Sequence, residues 1–97
     1  MVEQLVADVH PTHVVHLAGI SHVPTASNDP TALWNINLMG TLNVLEAVRK
    51  HTHEAVFLFV SSSEVYGRSF MSGKPLDECA ELHPRNAYAA SKAAAEL

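Results

Sequence analysis

The sequence predicts an α/β fold, an open parallel sheet of which this chain holds one βαβ unit and the start of the next helix. Three observations predict it. "HVVHLAG" (13–19) and "AVFLFVSS" (55–62) are short, apolar and rich in β-branched and aromatic residues, as strands buried on both faces are. A helical pattern of about 20 residues lies between them, the length of a crossover joining parallel strands. Such a crossover is right-handed, and sheets of this kind do their chemistry beyond the carboxyl ends of their strands.

Each element has its own reason. In "VEQLVADV" (2–9), Val2, Leu5, Val6 and Val9 form a helical stripe that Pro11 ends. The first strand ends in Gly19, a turn signal, and "ISHVPTASN" is expected to be loop. Asp29-Pro30 starts the long helix: an N-cap residue, then a proline where its missing N–H costs nothing. That helix should run to about Lys50, with Leu33, Ile36, Gly40, Val44 and Ala47 as its apolar stripe. Leu38, Leu42 and Leu45 widen the stripe, and Trp34 is expected to be core. Arg49 and Lys50 suit the negative end of the helix dipole. After the second strand, residues 68–84 read as loop with turns at Ser72-Gly73 and Lys74-Pro75, and a last helix begins near Asn86.

Composition narrows the function classes. The chain has 97 residues, 47% of them hydrophobic, and a net charge of −4, which is not the basic stripe of a nucleic-acid platform. Cys79 is the single cysteine, so no internal disulfide forms, as in a reducing compartment. The first residues lack the basic region of a signal peptide, and no apolar run approaches the roughly 20 residues that span a bilayer. A cytoplasmic protein is expected. The seven histidines do not form a ligand pattern. His10, His13 and His16 straddle Pro11 and enter a strand, and His51-x-His53 closes a helix, so a metal site is not expected.

Three phrases fall at the carboxyl edge of the expected sheet: "LAG", "SSSEVYG" and "NAYAASK". In the last, Tyr88 and Lys92 stand four apart, on one face of a helix. A free phenol is a poor acid at neutral pH, but a nearby ammonium favours its ionised form. So tuned, a phenol can give a proton to a carbonyl oxygen or take one from a hydroxyl. The serines at 61–63 offer hydroxyls to hold that oxygen, and Glu64 could move a second proton. Such a site would be half of a hydride-transfer centre, the other half being a nicotinamide cofactor.

"VVHLAG", "SHV", "NINLMGTLNVLEAVRK", "FVSSSEVYG" and "YAASK", in this order and spacing, resemble the middle section of the extended short-chain dehydrogenases/reductases. That family comprises nucleotide-sugar epimerases, dehydratases and reductases. Within it, "HVP", "GTLNVLEA" and "HPRNAYAASKAAAE" look most like the reductases of GDP-4-keto-6-deoxy-hexoses. The resemblance implies a partial Rossmann-type doubly wound parallel sheet and NAD or NADP as cofactor. It implies a nucleotide-sugar substrate and, in the whole protein, a homodimer paired through the long helix.

By the same resemblance, Tyr88 is the acid–base residue, Lys92 holds the nicotinamide ribose, and Ser62 bonds the substrate oxygen. Leu17, Ala18, Gly19 and Asn37 fall on the cofactor side, and Ser21 and His22 on the substrate side. Glu64 occupies the position that dehydratases use as a base, although a carboxylate there can equally cap the following turn. Arg85 can reach a phosphate or sit in solvent. Ala87 stands where relatives often have proline, which loosens the expected helix entry.

The glycines at 19, 40, 67 and 73 cannot form the family's G-x-x-G-x-x-G phosphate loop. The chain is therefore expected to be an internal part of an enzyme of roughly 300 residues. A 4,6-dehydratase or 4-epimerase with tightly held NAD is the alternative activity, and the 97 residues alone should be inactive.

Overall fold

The computed structural model describes residues 1–21 and 28–97. His10, in the left-handed conformation, ends helix α1 (Val2–Val9), and strand β1 (His13–His16) follows Pro11. The crossover comprises helix α2 (Pro30–Trp34), a π-helical turn (Asn35–Met39) and helix α3 (Gly40–His51). Strand β2 (Val56–Phe59) pairs parallel with β1 in the register His13 to Val56 and His16 to Phe59. Two 3₁₀ segments (Ser63–Val65 and Gly67–Ser72) lead to helix α4 (Ala87–Glu96).

The expected caps are in place. The Asp29 carboxylate accepts from the N–H of Ala32, and the Asn86 side chain accepts from that of Ala89. Each satisfies a donor that the first turn of a helix leaves free. The strands are shorter than the apolar runs, because past His16 and Phe59 the chains part to form the edge where the three phrases meet. The Ser72-Gly73 turn is present, with Gly73 at positive φ, but it closes a 3₁₀ segment rather than a plain loop.

One expectation about burial needs correction, the phase of the long helix. The strands, whose two-faced burial is expected of the whole protein, are covered on one face by these residues. Helices α1 and α3 pack Val6, Ala47 and Val48 onto Val14 and Phe57, while Val15, Val56 and Leu58 on the other face are more than half exposed. Among the described residues no element lies on that second face. The stripe of the long helix is rotated from its expected phase. Its buried line runs through Leu33, Asn37, Thr41, Ala47 and Val48, whereas Ile36, Leu42, Leu45 and Trp34 are exposed. The amide of Asn37 and the hydroxyl of Thr41 face inward because hydrogen-bond partners await them there. An apolar pattern cannot show this.

Candidate active site

The site forms where β1 and β2 end and α4 begins. A cleft of about 180 Å³ is lined by Leu17, Gly19, Ile20, Ser21, Val60 and Ser61, and by Tyr88 and Lys92. Both α4 residues are buried, Tyr88 in the first turn and Lys92 one turn on. Lys92 Nζ donates to the carbonyl of Val60 at 2.8 Å and stands 4.7 Å above the centre of the Phe59 ring. One of its three N–H groups is thus fixed on the end of β2. Burial draws the Lys92 pKa down, and the Glu96 carboxylate opposes that shift.

Behind the cleft runs a chain of buried polar groups. Asn37 Oδ1 accepts from the N–H of Ile20 at 2.7 Å, and its Nδ2 donates to the carbonyl of Ile20 and to Ser91 Oγ. Ser91 in turn donates to the carbonyl of Tyr88 at 2.7 Å. Asn37 therefore ties the turn after β1 to the backbone of the helix that carries Tyr88. Both of its N–H donors and one acceptor position are engaged with protein, and it stands behind the residues that line the cleft.

The π-helical turn makes this possible: the N–H of Gly40 reaches back to the carbonyl of Asn35, and Thr41 Oγ1 donates to the carbonyl of Asn37 at 2.6 Å. With its hydrogen committed, the Thr41 hydroxyl accepts from His16 Nε2 at 2.9 Å, which fixes the His16 tautomer. Burial, and then the Lys92 ammonium, hold the His16 pKa below its ordinary value.

Gly19 has to be glycine for proximity, not for backbone freedom. A Cβ there would stand 3.0 Å from Asn37 Oδ1 and 4.0 Å from Lys92 Nζ. Leu17 and Ser21 line the cleft, whereas Ala18 is exposed and is not part of its lining. His22, expected on the substrate side, lies outside the described residues.

The serine cluster divides. Ser61 lines the cleft, and its buried hydroxyl has no hydrogen-bond partner among the described residues. Ser62 Oγ accepts from the N–H of Glu64 at 3.3 Å and so caps the 3₁₀ turn. Glu64 is exposed, and its carboxylate accepts from Asn86 Nδ2 at 3.0 Å. It lines a second cleft, of about 460 Å³, with Ser63, Gly67, Phe70, Arg85 and Asn86. The two clefts flank the N-terminal end of α4, and the serine run passes between them.

These residues fit a nicotinamide ribose. Among the described residues Lys92 has two N–H groups left over from Val60 and the buried Ser61 hydroxyl has no partner, and Gly19 leaves the backbone bare for close approach. Sequence reasoning offered Ser61 only as one of three serines and Asn86 only as a helix start, and it gave no site role to Ser91, His16 or Thr41. Those three take their place from tertiary hydrogen bonds, which no local pattern signals. Among the described residues, no three His, Cys, Asp or Glu side chains are grouped to hold a metal ion. Among them, too, no helix is long and apolar enough to cross a membrane.

Comparison with known proteins gives a consistent outcome. The family model described as GDP-mannose 4,6 dehydratase matches residues 1–97. GDP-6-deoxy-D-mannose reductase of Pseudomonas aeruginosa is 46% identical over 86 residues, which are 89% of this chain and 28% of the reductase. The structure of RMD from Pseudomonas aeruginosa complexed with NADPH superposes with a TM-score of 0.84 at 42% identity, covering 97% of this chain and 33% of that one. The UDP-glucose 4-epimerase of Thermus thermophilus in complex with NAD gives 0.87 at 36% identity, covering 98% and 30%. The chain thus spans about a third or less of the length of these relatives.

Proposed function

The chain belongs to the GDP-mannose 4,6-dehydratase family of extended short-chain dehydrogenases/reductases, and from that membership we propose that its protein reduces the 4-keto group of a GDP-6-deoxy-hexose with NAD(P)H. One observation carries the reading: Tyr88 and Lys92 share a cleft at the carboxyl edge of the sheet, with the lysine anchored on Val60. The likeness to a reductase of this sugar class, at 46% identity, supports this reaction over the others of the family.

The bound nicotinamide supplies the hydride. Everything else falls to side chains of this chain. Lys92 holds the ribose with the donors it has left and favours negative charge on the neighbouring phenol oxygen. Tyr88 delivers the proton to the oxygen at C4 as the carbonyl becomes a hydroxyl. Ser62 orients that oxygen, and Leu17, Ala18 and Gly19 form the wall along which the cofactor lies. Asn37 fixes that wall against α4, while Ser21 and His22 face the sugar. We further propose that these residues form the central part of a larger cofactor domain. The Gly-rich loop and the sugar-binding part then lie elsewhere in the protein, and the 97 residues are inactive alone.

The reading also makes the protein a cytoplasmic homodimer. Trp34, Leu42 and Leu45, exposed along the crossover, form the face that a second copy would cover. A mass of one protomer by light scattering would refute the dimer.

The decisive experiment follows NADPH and NADH absorbance in the full-length protein on addition of a GDP-4-keto-6-deoxy sugar, beside Tyr88→Phe. Oxidation that falls by about 10²- to 10⁴-fold in the variant is expected. No oxidation, with turnover of GDP-mannose or another nucleotide sugar at constant cofactor, would assign a dehydratase or epimerase instead. Glu64 would then be the candidate base.

A further inference from the structure

We propose that Glu64 is a positioning residue that couples the turn carrying Ser62 to the helix carrying Tyr88. Its N–H donates to Ser62 Oγ at 3.3 Å, and its carboxylate accepts from Asn86 Nδ2 at 3.0 Å. The other end of the Asn86 amide accepts from the N–H of Ala89 at 2.7 Å and caps α4, two residues before Tyr88. A continuous run of hydrogen bonds thus joins the residue that orients the substrate oxygen to the helix turn that delivers the proton. The carboxylate also places negative charge at the positive end of the α4 dipole.

Backbone connectivity alone would not fix this distance, because Ser62 and Tyr88 lie on segments separated by the long excursion 68–84. A separate tie holds the fold of that region: the N–H of His83 donates to the carbonyl of Val65, and the N–H of Arg68 to that of His83. Loss of the Glu64–Asn86 contact therefore loosens the geometry of the site without unfolding it. A misplacement of about 1 Å at such a site can cost on the order of 10²-fold in rate.

The inference rests on the reading that Ser62 and Tyr88 serve one substrate oxygen, and the test separates the two. It compares the full-length wild type with Glu64→Ala, Glu64→Gln and Asn86→Asp. Two readouts are used: hydrogen exchange of the Ala89 and Ala90 amides without substrate, and kcat and KM for NADPH oxidation with the keto sugar. Asn86→Asp keeps an oxygen to cap Ala89 but loses the N–H that reaches Glu64. Glu64→Ala and Asn86→Asp are expected to speed exchange and to lower kcat about tenfold, with the KM for cofactor nearly constant. Glu64→Gln still offers an oxygen to Asn86 and recovers most of both losses.

Exchange that is unchanged in Glu64→Ala overturns the coupling. A fall of about 10²-fold or more in Glu64→Gln with wild-type exchange also overturns it, because the carboxylate would then be acting on the substrate as a base. A wild type that does not oxidise NADPH refutes the reductase reading alone, since the exchange comparison still decides the coupling.

Discussion

Near the start of the two strands, Val6, Ala47 and Val48 close on Val14 and Phe57 through apolar contact. Near their ends, His16, Asn37, Thr41, Ser91 and Lys92 are as deeply buried, and each is held by hydrogen bonds. The apolar end degrades by degrees, since a lost methyl group leaves a small cavity and nothing unpaired. At the polar end, deleting one member strands its partners in a medium where an unpaired polar group is costly. The site is therefore the more cooperative half of the molecule, and the more fragile.

The sharpest way to break this contrast is Asn37→Ala. It removes three side-chain hydrogen bonds at once and is expected to cost about 3 kcal/mol in urea unfolding, with loss of turnover. A cost near that of an exposed substitution would show that the network does not hold the turn. Gly19→Ala comes next, at about 1–2 kcal/mol, because its new Cβ presses on Asn37 Oδ1.

Val6→Ala should cost about 1 kcal/mol and leave kcat unaltered. Its effect should add to that of Asn37→Ala within about 0.5 kcal/mol, since the two residues share no partner. Clear non-additivity in the double variant would mean that the two ends are one unit.

The smallest effect is one of pH. The folded state holds the His16 pKa below the ordinary 6.5. The unfolded chain binds that proton more readily, so stability is intact above about pH 6.5 and declines as the pH falls below it. The decline levels off once His16 titrates in the folded state. His16→Phe should remove that part of the acid dependence, which unfolding at a series of pH values would measure as a flatter slope in the variant than in the wild type.

Legibility in the sequence divides along the same line. Both strands, both capped helix starts and the Ser72-Gly73 turn followed from periodicity and from Asp29, Asn86 and Gly73. Those signals are local and carry their own physics. The π-helical turn did not, because "NINLM" has a sound helical pattern and its extra residue per turn is selected by tertiary bonds to Ile20 and Ser91. For the same reason the buried line of the crossover was misphased: a stripe drawn through apolar residues passes over Asn37 and Thr41, which are buried by hydrogen bonds. Tyr88 and Lys92 were legible from their four-residue spacing, and the structure brings both to one cleft with Leu17, Gly19 and Ser21. What spacing could not say was which serine has a partner. Adjacent hydroxyls differ by the direction of one peptide, and Ser61 and Ser62 part company there.

Gly67 has φ of +42°, and a Cβ on it would fall 1.9 Å from the carbonyl oxygen of His83. That tight passage, with the two bonds between His83 and the Val65–Arg68 turn, pinches the chain shut at the base of the excursion. Everything beyond the pinch hangs from a fixed ring. Closure is already secured there, and each doubling of a loop's length costs only about 0.6 kcal/mol. Evolution can therefore lengthen, shorten or replace the segment from Ser69 to Leu82 while Tyr88 stays in place. The excursion is a place where length and sequence can change without moving the helix that carries Tyr88.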